Sequence, residues 1–171
     1  MTALPPPHDP DGPYRIAVVC LGNICRSPMA EVVLTDALDD AGLSDRVHVA
    51  SSGTGGWHSG EGMDDRAAAT LESAGHDPSR HRAQQFDAGW FDEYDLILTM
   101  DHSNYQDVRA LARSADDAAR VRMFRAYDPQ ASEGDDQVPD PWYGGRSGFD
   151  RVLEMVERTA KSLTDRLETT A

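Results

Sequence analysis

The segment Tyr14–Cys20, YRIAVVC, constrains the fold of this chain more than any other. It is apolar and rich in β-branched residues on both of its alternating faces. Strands of that kind are buried on two sides and belong to parallel sheets covered by helices. The stretches RVHVASSG (46–53), YDLILTM (94–100) and VRMFRA (121–126) read as three further strands. Helical patterns separate them. Pro28, at the expected first helical position, opens MAEVVLTDALDDAG, with Met29, Val32, Val33 and Leu38 apolar and Gly42 as the stop. A second helix is expected from about Met63 to Gly75, turning Ala67, Ala68, Leu71 and Ala74 inward, and a third over HSNYQDVRALARSA (102–115). A polar connection lies between these two, ahead of the third strand. A terminal helix carries Phe149, Val152, Leu153, Val156 and Leu163 on one side. This alternation predicts an α/β fold: a single-domain, open, parallel four-stranded sheet in a Rossmann-like three-layer arrangement, with helices on both faces and right-handed crossovers. Ligands of such sheets bind beyond the carboxyl ends of the strands. The loop after Cys20 lies there, as does the irregular stretch 127–148 if it folds back across the sheet.

At 171 residues the chain has room for one core. Residues 1–13, rich in Pro, Asp and Gly, read as a disordered leader, leaving 14–171 as the domain. The leader has neither the basic nor the apolar region of a signal peptide. No apolar run approaches the roughly 18 residues of a membrane span. With a mean hydropathy of -0.56, a cytoplasmic protein is the expectation. The formal net charge of -14 disfavours nucleic acid and anionic membranes as partners, so an anionic substrate needs a local positive site. Two cysteines, Cys20 and Cys25, make no disulfide framework and read as free thiols. No zinc-ligand spacing emerges from them and the scattered histidines, and His48, His58, His76, His81 and His102 read as surface or strand residues.

The chemistry is concentrated in the loop Cys20-Leu21-Gly22-Asn23-Ile24-Cys25-Arg26-Ser27-Pro28 between strand and helix. A cysteine six positions before an arginine is weak evidence alone; its context gives it weight. Gly22 permits positive φ and Asn23 tolerates it, so successive N–H groups can turn inward as an anion nest, with the helix N-terminus directed at the same point. Arg26 can add a planar fork for two phosphate oxygens. The same field favours Cys20 as a thiolate, facing a cradled phosphate as a nucleophile should. Ser27 can donate its hydroxyl to that sulfur, or serve as the helix N-cap.

These residues resemble the low-molecular-weight protein tyrosine phosphatases, whose signature loop reads much like CLGNICRS. Trp57, LTMDHSN (98–104), YDPQ (127–130) and DPWYGG (140–145) extend the resemblance over nearly the whole chain after the leader. It implies Cys20 as nucleophile and Arg26 as phosphate ligand, with the amides of Leu21, Gly22, Asn23, Ile24 and Cys25 around the phosphate. Asn23 and Ser27 would hold the loop and the thiolate. Asp140 of DPWY matches the general acid, which protonates a leaving tyrosine oxygen and later activates water. Trp57, Trp142 and Tyr143 match the aromatic walls of the substrate pocket. Cys25 matches a second cysteine able to trap an oxidised Cys20 as a disulfide, against a plain packing role. The implied substrates are tyrosine-phosphorylated proteins, with a cognate tyrosine kinase in opposition, no cofactor or metal, and a monomer. Two departures, His81-Arg82-Ala83-Gln84 for an HKAR-like segment and Ala74 for a histidine, fall at positions that read as structural. Ile24, where the protein-arginine phosphatase branch tends to carry threonine, favours an aryl substrate. Competing readings are an arsenate reductase, disfavoured because no cysteine follows Cys25, a protein-arginine phosphatase, and a non-catalytic phosphate-binding or redox-sensing module.

Overall fold

The computed structural model describes residues 3–142 and 145–170. Four parallel strands, β1 (Tyr14–Cys20), β2 (Val47–Gly53), β3 (Leu96–Thr99) and β4 (Val121–Met123), form one sheet in the order β2-β1-β3-β4. The helices are α1 (Arg26–Asp40), α2 (Asp65–Ser73), α3 (Trp90–Glu93), α4 (His102–Ala110), α5 (Ala115–Ala119) and α6 (Arg146–Thr170).

Alternation along the strands divides the core in two. Ile16, Val18, Cys20, Leu96 and Leu98 pack with Met29, Leu34, Leu71, Phe149 and Val156 from α1, α2 and α6. Ala17, Val19 and Ile97 face the other way, onto Phe86, Trp90, Phe91 and Val108. The connection from β1 runs to β2 on one side, while β3 lies on the other side of β1. Right-handed crossovers in opposite directions place their helices on opposite faces, α1 on one, α3 and α4 on the other. The order therefore reverses at β1, and the crevice between the carboxyl ends of β1 and β3 is the place for a ligand. Cys20 is the last residue of β1.

Several elements differ from expectation. Helix α1 begins at Arg26, not Pro28, with Cys25 at its N-cap and no side-chain cap, so Ser27 is not the N-cap. The expected helix over 102–115 is two helices. Ser114 caps α5 by accepting from Asp117 N–H, and the Asp117 carboxylate accepts from Arg113 N–H, so polar side chains supply the backbone with an alternative to continuing α4. Strand β4 stops at Met123, and Phe124–Tyr127 form a 3-10 turn. Short helix α3 lies in the connection expected to be polar, held by buried Trp90 and Phe91. Ala74, expected inside, is exposed beyond the end of α2.

Residues 3–13 are also not as expected. They run without helix or strand along the amino-terminal edge of the sheet, tied down by side chains from the strand starts and from the turn after β4. Tyr14 Oη donates to Pro5 O, Tyr127 Oη to Ala3 O and Arg120 Nη1 to Pro6 O, while His8 N–H donates to Asp95. Composition predicts a segment unable to fold alone. Buried partners elsewhere in the chain hold this one.

Between β4 and α6 a buried ion-pair network directs the chain back over the sheet. Arg125, fully buried, pairs with Asp128 at 2.8 Å, and Arg158 of α6 binds the same carboxylate at 2.8 Å. Arg125 also holds Asp135 and Gln137 O, and Val138 N–H donates to Met100 O. The stretch 128–140 thereby returns to the carboxyl end of β3 and brings Asp140 over the loop after Cys20.

Candidate active site

At the reversal of strand order a cavity of about 240 Å3 is lined by Cys20, Leu21, Gly22, Ile24, Cys25, Arg26, Trp57, His58, Asp140 and Trp142. The Cys20 sulfur, on a residue only 3% exposed, lies 3.0 Å from Ser27 Oγ and accepts from Asn23 N–H at 3.3 Å. Asn23 shapes the loop. Its φ of 58° is the left-handed turn expected at this point; Gly22 does not share it. A Cβ on Gly22 would stand 3.1 Å from His58 Cδ2, so a side chain there needs the His58 ring to shift. The Asn23 side chain donates to Ser27 Oγ (2.9 Å) and Ser51 Oγ (3.0 Å) and accepts from Gln84 N–H (2.9 Å). His81 Nε2 donates to Asn23 O at 2.6 Å. Because a carbonyl only accepts, this bond selects the Nε2–H tautomer. Burial lowers the His81 pKa, with the bond to Asn23 opposing, so the ring is neutral at pH 7.

Arg26 is 2% exposed. Its Nη1 donates to Asp101 at 2.7 Å and to Val138 O at 3.0 Å, and its Nη2 stands 3.8 Å from Asp140. Asp101 also caps α4, accepting from Asn104 N–H. Burial opposes the Arg26 charge, but the Cys20 sulfur, Asp101 and Asp140 outweigh it and hold the guanidinium protonated. Asp140, on the far side of the cavity, is half-exposed and accepts from Trp142 N–H at 3.0 Å. Burial pushes the Cys25 thiol well up, reinforced by Asp64, Cys20 and Asp140, so at neutral pH it is a protonated thiol.

The sequence-derived residues thus converge, with Cys20 and Arg26 on the floor and Asp140, Trp57 and Trp142 around the rim, the last two both exposed. Tyr143 lies outside the described residues. Among the described residues no cluster of His, Cys, Asp and Glu is placed to hold a metal ion. A larger cavity of about 770 Å3 lies beneath residues 3–14, at the opposite end of the sheet, away from both cysteines.

The model of the family described as low molecular weight phosphotyrosine protein phosphatase matches residues 15–171, from the start of the first strand onward. The chain belongs to that family. A low molecular weight protein-tyrosine-phosphatase of Streptomyces coelicolor is 49% identical over 150 residues, 88% of this chain and 91% of the relative. The low molecular weight protein-tyrosine phosphatase A of Mycobacterium tuberculosis is 40% identical over 90% of this chain and 91% of its own length. Among solved structures, a protein tyrosine phosphatase of Entamoeba histolytica with Hepes in its active site superposes with a TM-score of 0.86 at 29% identity, covering 92% of this chain and 98% of that one.

In this low molecular weight phosphatase, sequence reasoning missed four residues around the cavity. His58 lines it beside Trp142, with ring centroids 6.4 Å apart, and its Nδ1 is paired with Glu61 at 2.8 Å. Asp101 anchors Arg26, and His81, read as a surface or strand residue, is a buried support of Asn23. Gly53, the last residue of β2, leaves no room for a Cβ, which would meet Leu21 O at 2.7 Å and Asn23 N at 3.0 Å. For Asp101 the available signal was its position ahead of a helix in LTMDHSN. For Gly53 it was the glycine ending a strand paired with β1.

Proposed function

We propose that this chain hydrolyses phosphotyrosine in proteins through a cysteinyl-phosphate intermediate. The observation that carries the reading is the environment of the Cys20 sulfur, with Asn23 N–H donating to it, Ser27 Oγ 3.0 Å away, and Arg26 and Asp140 in the same cavity. Polar hydrogens there stabilise negative charge on the sulfur as it attacks and as it leaves. Arg26 has Nη1 committed to Asp101 and Val138, so two phosphate oxygens would take the Nε–Nη2 edge, joined by the amides of Leu21 to Cys25. Cys20 attacks phosphorus in line as the tyrosine oxygen departs, and Asp140 gives that oxygen its proton. Asp140, now a carboxylate, takes a proton from the water that cleaves the S–P bond, releasing phosphate and restoring the thiolate. Trp57 and Trp142 flank the aryl ring, and Ile24 adds an apolar contact. Ser27 stabilises the sulfur as leaving group in the second step.

Cys25, five positions after Cys20 and also lining the cavity, is the thiol that would trap an oxidised Cys20 as a disulfide. The protein works as a cytoplasmic monomer on tyrosine-phosphorylated proteins, opposed by a tyrosine kinase. No helix among the described residues is long and apolar enough to cross a membrane. The test is hydrolysis of p-nitrophenyl phosphate in the presence of a chelator. Cys20→Ser abolishes turnover, and Asp140→Ala slows it by about 10²-fold or more. A wild type that binds vanadate without turning over substrate refutes the reading, and faster hydrolysis of phosphoarginine than of phosphotyrosine peptides refutes the substrate class.

A further inference from the structure

Asp140 stands on a loop outside the sheet and its helices, 3.8 Å from Arg26, and general acid catalysis requires that loop to be held in register with Cys20. Arg66, in the first turn of α2, makes the connection. Its guanidinium lies over the Trp142 ring, 5.0 Å from the centroid, and over the Phe149 ring of α6, 4.8 Å from the centroid. Its Nη1 donates to Trp142 O at 2.9 Å, and the N–H of the same Trp142 donates to Asp140 Oδ1. Behind it, Asp64 fixes the guanidinium through Nε and Nη2, both at 3.3 Å, while capping α2 through Arg66 N–H and Ala67 N–H. Asp64 N–H in turn donates to Ile24 O, in the loop that carries Cys20, at 2.9 Å. A continuous path therefore runs from the nucleophile loop through Ile24, Asp64 and Arg66 to Trp142 and Asp140. Only a planar, five-donor cation can stack on two rings while bonding a carboxylate and a carbonyl.

We propose that Arg66 is a positioning residue that holds the Asp140 loop in register with the Cys20 loop, with Asp64 as the coupling piece. The proposal rests on the reading of Asp140 as general acid. It predicts a loss confined to substrates whose leaving group needs a proton, expressed in kcat/KM, which reports transfer to Cys20. The experiment compares wild type, Arg66→Ala, Arg66→Lys, Asp140→Asn and Asp140→Asn/Arg66→Ala on phenyl phosphate and on an activated dinitrophenyl phosphate, with inhibition by inorganic phosphate alongside.

Arg66→Ala should lower kcat/KM about tenfold on phenyl phosphate and less than about threefold on the activated ester, and leave phosphate inhibition within about twofold. Arg66→Lys, which keeps the charge but not the stacked fork, should fall between. In the Asp140→Asn background, Arg66→Ala should cost less than about twofold, because the group it positions is gone. Equal losses on both esters, a parallel weakening of phosphate inhibition, or an undiminished loss in the Asp140→Asn background overturns the proposal. If Arg66→Ala does not fold, Arg66→Lys carries the same comparison. A failure of Asp140→Asn itself to lose activity selectively on phenyl phosphate refutes the general-acid reading instead, a distinct outcome.

Discussion

Asn23 carries the nucleophile loop in two separable ways, through its left-handed backbone and through a side chain that serves Ser27, Ser51 and Gln84. Asn23→Gly keeps the first and loses the second, whereas Asn23→Ala loses both. Chemical denaturation should find the Gly variant more stable than the Ala variant by about 1 kcal/mol. Both should lose about tenfold or more in kcat, since Ser27 is no longer oriented to stabilise the sulfur as it leaves phosphorus. The two cysteines are likewise distinguished by environment. The Cys20 sulfur lines the cavity, accepts from Asn23 N–H and lies 3.0 Å from Ser27 Oγ, whereas the burial of Cys25 holds its proton on. Iodoacetate at pH 7 should therefore label Cys20 first, with inactivation slowed by inorganic phosphate, and Cys25→Ser should be inactivated at the wild-type rate. Peptide mapping of the labelled protein checks this directly.

The element whose behaviour departs most from its composition is the segment 3–13. Its hydrogen bonds run to residues at the starts of β1, β3 and β4, to the backbone of Phe91 and Tyr94, and to the side chains of Arg122 and Tyr127. Burial raises the Tyr14 pKa far above the ordinary phenol value, with Asp95 adding to the shift, so its hydroxyl stays a donor to Pro5 O throughout the working pH range. Removing residues 2–12 should lower Tm by about 5 °C, since the hydrogen bonds of Ala3, Pro5, Pro6 and His8, each of modest net worth, are lost while chain entropy is regained. The kcat/KM of the shortened chain should stay within about twofold of wild type, because the segment touches no part of the cavity around Cys20. A larger kinetic loss would show that the two ends of the sheet are coupled.

Over the whole molecule, acid stability should follow two buried groups. Between Arg125 and Arg158, Asp128 has a pKa lowered to about 2: burial opposes the charge, but the bonds from Arg158, Gln130 N–H and Arg125 prevail. A carboxylate depressed in the folded state stabilises fully above its unfolded value near 3.8, and that stability is lost as pH falls toward 2. Equilibrium unfolding across that window should show a loss of about 2 kcal/mol, absent in Asp128→Asn. His81, depressed by burial, acts earlier: its contribution is complete above the unfolded pKa of about 6.5 and declines as the pH falls below it. The sequence by itself determined the parallel α/β class, the four strands and the strand-loop-helix unit from Cys20 to Pro28. These depend on short-range periodicity and on residues contiguous in the chain. Tertiary structure decided which distant groups complete the site. Asp101 meets Arg26 across 75 positions, His81 meets Asn23 across 58, and Arg66 meets Trp142 across 76. It likewise decided that a proline-rich segment is held and that α4 ends at Ala110. Such outcomes depend on which partners the sheet brings within hydrogen-bond reach, and no local pattern of residues encodes that distance.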